Sequence, residues 1–152
     1  MDGIRIKLFG IDAPDPDQTC LDHSNRSYEC GLNSLTWLQD WLNGKEVSCH
    51  ILSKIENGRT VGSYFTDNNK YDVAAVVVNA GWAVAYTDST DIYVPYEQQA
   101  EDARRGLWCG TFYKPWDWRS LQNRRFKVKI HAPKPSNSGN NSGGGFNFWG
   151  LF

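Results

Sequence analysis

Three aspartates follow the first apolar run of the chain, and their carboxylates could together act on a cation. The run Ile4–Ile11 is followed at once by Asp12, and Asp15 and Asp17 come within the next five residues. Because carboxylates crowded into a short turn repel one another, they need a cation or several hydrogen-bond donors to neutralise them. Oxygen ligands of this kind suit hard metal ions. The composition of the turn fits a metal site, whereas its spacing alone favours the alternative of a solvated acidic turn.

Pro14 determines where these carboxylates lie. The run Ile4–Ile11 carries Arg5 and Lys7 at alternate positions, which predicts a strand with one solvated face. Proline has no amide hydrogen and holds the preceding residue extended, so the strand should end in a fixed turn at Asp12-Ala13-Pro14. The sequence therefore places the acidic cluster at a strand end.

The next elements predict a mixed α+β domain. Leucine and tryptophan recur at helical spacing from Leu32 to Leu42, and Asn43-Gly44 provides a left-handed stop. Val47–Ile51 and Arg59–Phe65 read as two strands joined by a hairpin turn at Glu56-Asn-Gly58.

Further along, Asp72 can cap a helix from Val73 to Asn79, although the run Val76-Val-Val78 favours a strand. Trp82–Tyr86 should be extended. A last helix should begin at Pro95, run through Arg105 and end at Gly106.

Cysteine usage bears on the compartment. The chain has four cysteines, Cys20, Cys30, Cys49 and Cys109, with no Cys-x-x-Cys pair. A zinc site with His23 or His50 is one alternative for these cysteines, but we expect disulfides, with Cys20–Cys30 closing the loop after the acidic turn. We therefore expect a periplasmic or secreted protein. Because Met1 is followed at once by Asp2, with no signal peptide in view, we expect a mature or trimmed form.

Charge is unevenly distributed along the chain. Residues 1–113 carry nine Lys and Arg against sixteen acidic residues, whereas residues from Lys114 onward carry seven basic residues and one acid, Asp117. A basic segment of this kind can attract phosphate or bind the acidic body of the protein. No stretch approaches the length of a membrane span.

The motifs, taken together, resemble the staphylococcal (thermonuclease-type) nuclease family, most closely its cysteine-containing bacterial branch. The similar segments are Lys7-Leu-Phe-Gly-Ile-Asp-Ala-Pro-Asp15, Gln18-Thr-Cys20, Tyr28-Glu-Cys-Gly31, Gly58-Arg59, Gly81-Trp-Ala83, Ala100-x-x-Ala103-Arg-Arg-Gly-Leu-Trp108 and Pro115-Trp-Asp-Trp-Arg119. The resemblance implies an OB-fold β-barrel with three helices and a calcium-dependent nuclease that cleaves DNA and RNA with low sequence specificity. We expect the protein to be a monomer.

The resemblance also implies roles for individual residues. Asp12 and the backbone carbonyl of Ala13 would bind Ca²⁺, and Asp15 would be the general base. Lys7 and Arg59 stand at the positions of the two phosphate-binding arginines. The nucleotide would contact Tyr86 and Tyr93, which lie near the family's tyrosines.

Three departures from the family pattern affect this interpretation. Asp15 is one methylene shorter than the family's glutamate, and Lys7 lacks the planar fork of an arginine. The family's first two strands, which carry a further metal carboxylate, would precede Gly3, so we expect them to be missing from this chain. We also consider the alternative of a catalytically weakened or inactive OB domain that binds nucleic acid or a protein partner.

These observations define three segments. Residues 1–119 form the nuclease-like domain, and residues 120–132 form a basic extension. Residues 133–152 form a flexible tail rich in Gly, Ser and Asn with an apolar end. The alternation in Phe126–His131 predicts a replacement strand for the barrel, with a disordered basic appendage as the alternative.

Overall fold

The computed structural model describes residues 6–56 and 58–128 of the chain. Their elements are, in chain order, β1 (Lys7–Leu8), β2 (Ile11–Asp12), β3 (Cys20–Leu21), β4 (Ser27–Tyr28), α1 (Cys30–Leu42), β5 (Val47–Glu56), β6 (Arg59–Thr66), β7 (Tyr71–Asp72), α2 (Val73–Asn79), β8 (Val84–Ala85), α3 (Val94–Asp102), a 3₁₀ turn (Gly106–Cys109) and α4 (Pro115–Val128).

The strands form one main sheet and two short ribbons. In the main sheet β6 lies between β1, which runs parallel to it, and the antiparallel β5, while β7 also pairs with β6. The strand β2 pairs with β8, and β3 pairs with β4. The architecture is a mixed α+β fold of OB type, as the sequence predicts, and the described residues do not close into a barrel.

The core lies between the sheet and the helices. It contains apolar residues from β1 and β2, the inner faces of α1 and α2, and β8, including Leu8, Ile11, Leu38, Val77 and Ala85. Helix α1 buries Leu35, Leu38 and Leu42 and leaves Leu32 exposed, as expected of an amphipathic helix.

Several local predictions are confirmed. The first long helix ends at Leu42, and Gly44 follows with φ +74°. The hairpin strands are present, longer than expected. Asp72 caps α2 through a hydrogen bond from the Ala74 amide at 2.9 Å, so the alternative strand at Val76–Val78 is wrong.

The opening strand is not continuous. Phe9 and Gly10 turn the chain between β1 and β2, and Gly10 has φ +74°. A side chain at Gly10 would also collide with the ring of Tyr93, because its Cβ would lie 2.8 Å from that ring. Because of this turn, β1 pairs with the hairpin whereas β2 pairs with β8 and carries Asp12 away from the main sheet.

The C-terminal half of the described chain also differs from expectation. Helix α3 ends at Asp102, before the predicted Arg105. A fourth helix, α4, spans Pro115–Val128, so the boundary predicted at residue 119 falls inside it. The predicted strand Phe126–His131 is wrong for residues 126–128, which are helical, and residues 129–131 lie outside the described residues. The tail 133–152 lies outside them as well.

The disulfide prediction is confirmed for Cys20–Cys30, whereas Cys49 and Cys109 are free thiols. The bond joins β3 to the first residue of α1. No helix within the described ranges has both the length and the apolar character needed to cross a membrane.

Candidate active site

The acidic turn begins where β2 ends. Asp12 is paired with Val84 of β8 and is only 2% exposed. Ala13 and Pro14 are also buried, so the turn is anchored in the core. The amide of Gln18 donates to the carbonyl of Asp15 at 2.8 Å, which closes the turn.

The Gln18 side chain ties this turn to a distant segment. It is fully buried and donates to the carbonyl of Tyr113 at 2.8 Å. Tyr113 comes just before α4 in the chain. Asp15 is therefore held by packing and by hydrogen bonds that reach the segment before α4.

Arg119 of α4 joins the two carboxylates. Its Nη1 atom lies 3.0 Å from Asp15 Oδ1 and 3.4 Å from Asp12 Oδ1. Its Nη2 atom forms an ion pair with Asp12 Oδ2. The planar guanidinium thus contacts both oxygens of Asp12 and one of Asp15, which is the arrangement of a charge-assisted bidentate pair. The two aspartates share one cationic group.

The surroundings of the site shift the pKa of Asp15 and of Arg119. Burial raises the pKa of Asp15 above its ordinary value, against the effect of Arg119, and the charges of Asp12 and Asp17 raise it further. For Arg119, burial acts to lower the pKa, but the contacts with Asp12 and Asp15 outweigh it and hold the pKa above its usual value. A carboxylate with a raised pKa is better suited to accept a proton near neutral pH.

Lys7 lies beside Tyr86, and Tyr86 in turn contacts Trp116 of α4. Its side chain is buried, with the residue 5% exposed, and its Nζ lies 5.0 Å from the centre of the Tyr86 ring. The Tyr86 ring is 5.7 Å from that of Trp116 on α4. Trp116 and Arg119 are three residues apart on α4 and so share one helical face. The ammonium group of Lys7 and the acidic pair therefore flank the same face of α4.

Arg59 begins β6, and its side chain is exposed. It stands two residues before Val61, the residue that pairs with Lys7 across the parallel β1–β6 ladder. Side chains two apart in a strand point to the same face, so Arg59 and Lys7 lie on one face of the sheet. Their joint contact with a phosphate stays a prediction.

The two predicted nucleotide contacts differ in their surroundings. Tyr86 is half-buried beside Lys7, and its amide donates to the carbonyl of Gly10 at 2.9 Å. Tyr93 is 2% exposed, and its hydroxyl donates to Asp72 Oδ2 at 2.8 Å. This burial gives Tyr93 a packing role in the described structure, and its contact with substrate stays a prediction.

Calcium binding at this turn stays a prediction, and the types of donor present there fit it. Asp12 and Asp15 would supply carboxylate oxygens and Ala13 a backbone carbonyl, and hard oxygen donors are what Ca²⁺ prefers. The shared guanidinium also shows that the pair accommodates a positive charge. Within residues 6–56 and 58–128 no cluster of three or more His, Cys, Asp or Glu side chains could hold a metal ion. An ion at this pair would also take oxygen ligands from water or from a phosphate group.

Arg119 is the site residue that sequence reasoning misses. The sequence presents it only as the end of the segment Pro115-Trp-Asp-Trp-Arg119, with no role attached. The available signal is a cation placed among aromatic residues close to the start of a helix, since Pro115 is a typical first helical residue.

Comparisons with known proteins identify the family of the chain. Residues 5–110 match the family model described as "Staphylococcal nuclease homologue". "Succinoglycan biosynthesis protein ExoI" of Rhizobium meliloti is 32% identical over 108 residues, which are 70% of this chain and 56% of that protein. "Probable staphylococcal-like nuclease CAN2" of Oryza sativa subsp. japonica is 30% identical over 119 residues, 78% of this chain and 30% of that protein.

A fungal relative extends the comparison. "Probable endonuclease LCL3" of Komagataella phaffii is 28% identical over 115 residues, 69% of this chain and 49% of that protein. The chain thus spans between 30% and 56% of the length of the relatives named here. Arg119 lies beyond the residues matched by the family model.

Proposed function

Because the chain belongs to the staphylococcal nuclease family, we propose that it hydrolyses phosphodiester bonds in DNA and RNA with low sequence specificity and depends on Ca²⁺. One observation carries the proposal: Asp12 and Asp15 lie at the end of β2 close enough to contact the same cationic group. A pair of anchored carboxylates with a cation is the arrangement needed to act on a charged phosphodiester.

Each residue of the site has a role in the proposed mechanism. Asp12 and the carbonyl of Ala13 would hold the calcium ion, which when bound neutralises charge on the phosphoryl oxygens. Asp15 accepts the proton of the attacking water, and its raised pKa supports this role. Lys7 and Arg59 donate hydrogen bonds to the phosphate from one face of the sheet. Tyr86 borders the nucleotide beside Lys7.

The Cys20–Cys30 disulfide supports the proposal that the protein works in an oxidising compartment, either secreted or in the periplasm. We further propose that it acts as a monomer. The seven basic residues from Lys114 onward, against one acid, would attract nucleic acid.

The test compares DNA degradation with calcium and with chelator. Purified protein is incubated with plasmid and with single-stranded DNA in CaCl₂ or in EGTA. We expect the wild-type protein to degrade DNA in CaCl₂ but not in EGTA. We expect Arg59→Ala to degrade DNA in neither condition. Arg26→Ala is the matched control, because Arg26 is exposed and pairs with Asp22 in the β3–β4 turn. Equal degradation by Arg59→Ala would contradict the role of Arg59, and degradation in EGTA would contradict calcium dependence.

A second candidate is a domain that binds nucleic acid without cutting it. The observation that favours it is the occupation of both carboxylates by Arg119, together with the shorter Asp15 and the single ammonium of Lys7. Retarded migration of intact DNA in both CaCl₂ and EGTA would support this candidate and contradict the nuclease.

A further inference from the structure

Arg119 reaches the acidic pair from a separate element. It lies in the second turn of α4, 107 residues after Asp12 and 104 after Asp15. The helix is anchored beside the site, because Pro115 is buried and Trp116 packs against Tyr86. The position of Arg119 is thus set by the docking of α4 and not by the acidic turn itself.

The two partners differ in their access to water. The side chain of Asp12 is 3% exposed, whereas that of Arg119 is 38% exposed. A buried carboxylate without a counter-charge is strongly unfavourable, so a cation at Asp12, either Arg119 or a bound ion, stabilises its ionised form. Arg119 can leave toward solvent without removing the anchors of its helix, whereas Asp12 cannot leave.

A metal ion and the guanidinium would compete for the same oxygens. Arg119 contacts both oxygens of Asp12 and Oδ1 of Asp15. A divalent ion coordinated by these oxygens would approach them to about 2.3–2.6 Å and would be repelled by a guanidinium at hydrogen-bond distance from them. The two cations cannot share the pair in the described geometry.

We propose that Arg119 is an internal counter-cation that Ca²⁺ must displace from Asp12 and Asp15. This inference rests on the proposed function, since it concerns the same calcium site. In the calcium-free protein, Arg119 of α4 therefore neutralises the acidic pair. Binding of Ca²⁺ releases Arg119 from both carboxylates. The calcium affinity of the protein is then lower than its carboxylates alone would give.

The test measures calcium binding directly, without any assay of cleavage. Isothermal titration calorimetry with CaCl₂ is performed on wild type, Arg119→Gln and Arg124→Gln. The Arg124 side chain is exposed on the same helix, so Arg124→Gln removes one positive charge without touching the pair. We expect Arg119→Gln to bind calcium at least tenfold more tightly than wild type, and Arg124→Gln to change the affinity less than twofold.

A second readout follows the stability of the cation-free protein. In EGTA, Arg119→Gln should melt at a lower temperature than wild type, and CaCl₂ should raise its melting temperature more than that of wild type. Arg119→Lys guards against misfolding of the glutamine variant. A lysine cannot hold both carboxylates through a planar fork. The calcium affinity of Arg119→Lys should therefore lie between those of wild type and Arg119→Gln.

The outcomes separate this inference from the proposed function. Calcium binding that is equal or weaker in Arg119→Gln and Arg119→Lys than in wild type would overturn the inference and leave the calcium dependence standing. An absence of calcium binding in all variants would overturn both.

Discussion

Gly31, in the first turn of α1, lies directly against the carbonyl oxygen of Asp15. A Cβ at this position would be 1.7 Å from that oxygen and 2.7 Å from the carbonyl carbon. Real atoms cannot approach so closely, so α1 can contact the acidic turn only through a glycine. The amide of Gly31 also donates to the carbonyl of Gln18 at 3.1 Å. The start of α1 therefore defines the position of the acidic turn.

Gly31→Ala should accordingly displace the turn that carries Asp15. We expect a loss of about 1–3 kcal/mol in the free energy of unfolding, as for other overpacked positions. If the turn moves by about 1 Å, the rate of phosphodiester cleavage should also fall by about a hundredfold. Urea unfolding and a plasmid-nicking assay measure the two effects.

Gly44→Ala is the control for this change. Gly44 has φ +74°, and a Cβ there would meet nothing within 4 Å, so alanine costs about 1–2 kcal/mol through the backbone alone. Cleavage should not change in this variant. An unaltered cleavage rate in Gly31→Ala would contradict the role of Gly31.

The Cys20–Cys30 disulfide should contribute measurably to stability. It closes a loop with a sequence separation of 10, for which the loss of loop entropy in the unfolded chain gives about 2.7 kcal/mol. Dithiothreitol should therefore lower the urea midpoint of unfolding. The measurement uses the background Cys49→Ser/Cys109→Ser, in which the free thiols cannot react. An unchanged midpoint on reduction would contradict the prediction.

Local signals explain the parts of the fold that could be predicted. Asp72 caps α2 because its side chain accepts from an amide two residues later, and this depends on neighbours in sequence alone. The same is true of Gly44 after α1. The prediction of a continuous opening strand is wrong because the apolar pattern hides the turn at Gly10, where the ring of Tyr93 leaves no room for a side chain.

The site is predictable only in part. The acidic turn can be read from Asp12, Pro14 and Asp15, because a proline fixes it locally. The contact of Arg119 with Asp12 and Asp15 cannot be predicted from local sequence. Its partners are more than a hundred residues away in the chain, and the contact forms only when α4 packs beside the turn. The alternation in Phe126–His131 suggests a strand, but a helix that begins at Pro115 continues through Val128.

Asp15 should illustrate the conflict between stability and function. Burial is the largest influence on its pKa and disfavours the ionised form. Asp15→Asn removes the charge of this half-buried side chain in nearly the same volume, so we expect an unfolding free energy in EGTA at neutral pH equal to or above that of wild type. Cleavage should fall by about 10²–10⁴-fold because the general base is lost.

Asp17→Asn is the control for this substitution, since Asp17 is a neighbouring exposed carboxylate. Its unfolding free energy should stay within about 0.5 kcal/mol of wild type. Its cleavage should change much less than that of Asp15→Asn, because the charge of Asp17 is the smallest of the influences on the pKa of Asp15. A marked destabilisation by Asp15→Asn would show that the ion pair with Arg119 outweighs the cost of burial.

Tyr93 should act on stability and not on substrate binding. Its hydroxyl donates to the carboxylate of Asp72, a bond to a charged acceptor worth about 1.5–3 kcal/mol. Tyr93→Phe should lose about this amount of unfolding free energy at neutral pH, with KM for DNA unchanged. A raised KM with unchanged stability would instead support the predicted contact with nucleotide.

The same bond gives Tyr93 a pH dependence with a definite sign. Burial first, and then the bond to Asp72, raise the pKa of Tyr93 in the folded protein above its ordinary value. The neutral hydroxyl therefore contributes stability that is fully present below about pH 10, the unfolded pKa, and is lost as the pH rises toward the folded pKa. The difference in unfolding free energy between wild type and Tyr93→Phe should shrink above about pH 10. Tyr113→Phe is the control, because Tyr113 is 56% exposed, and a difference between wild type and Tyr93→Phe that stays constant across this range would contradict the assignment.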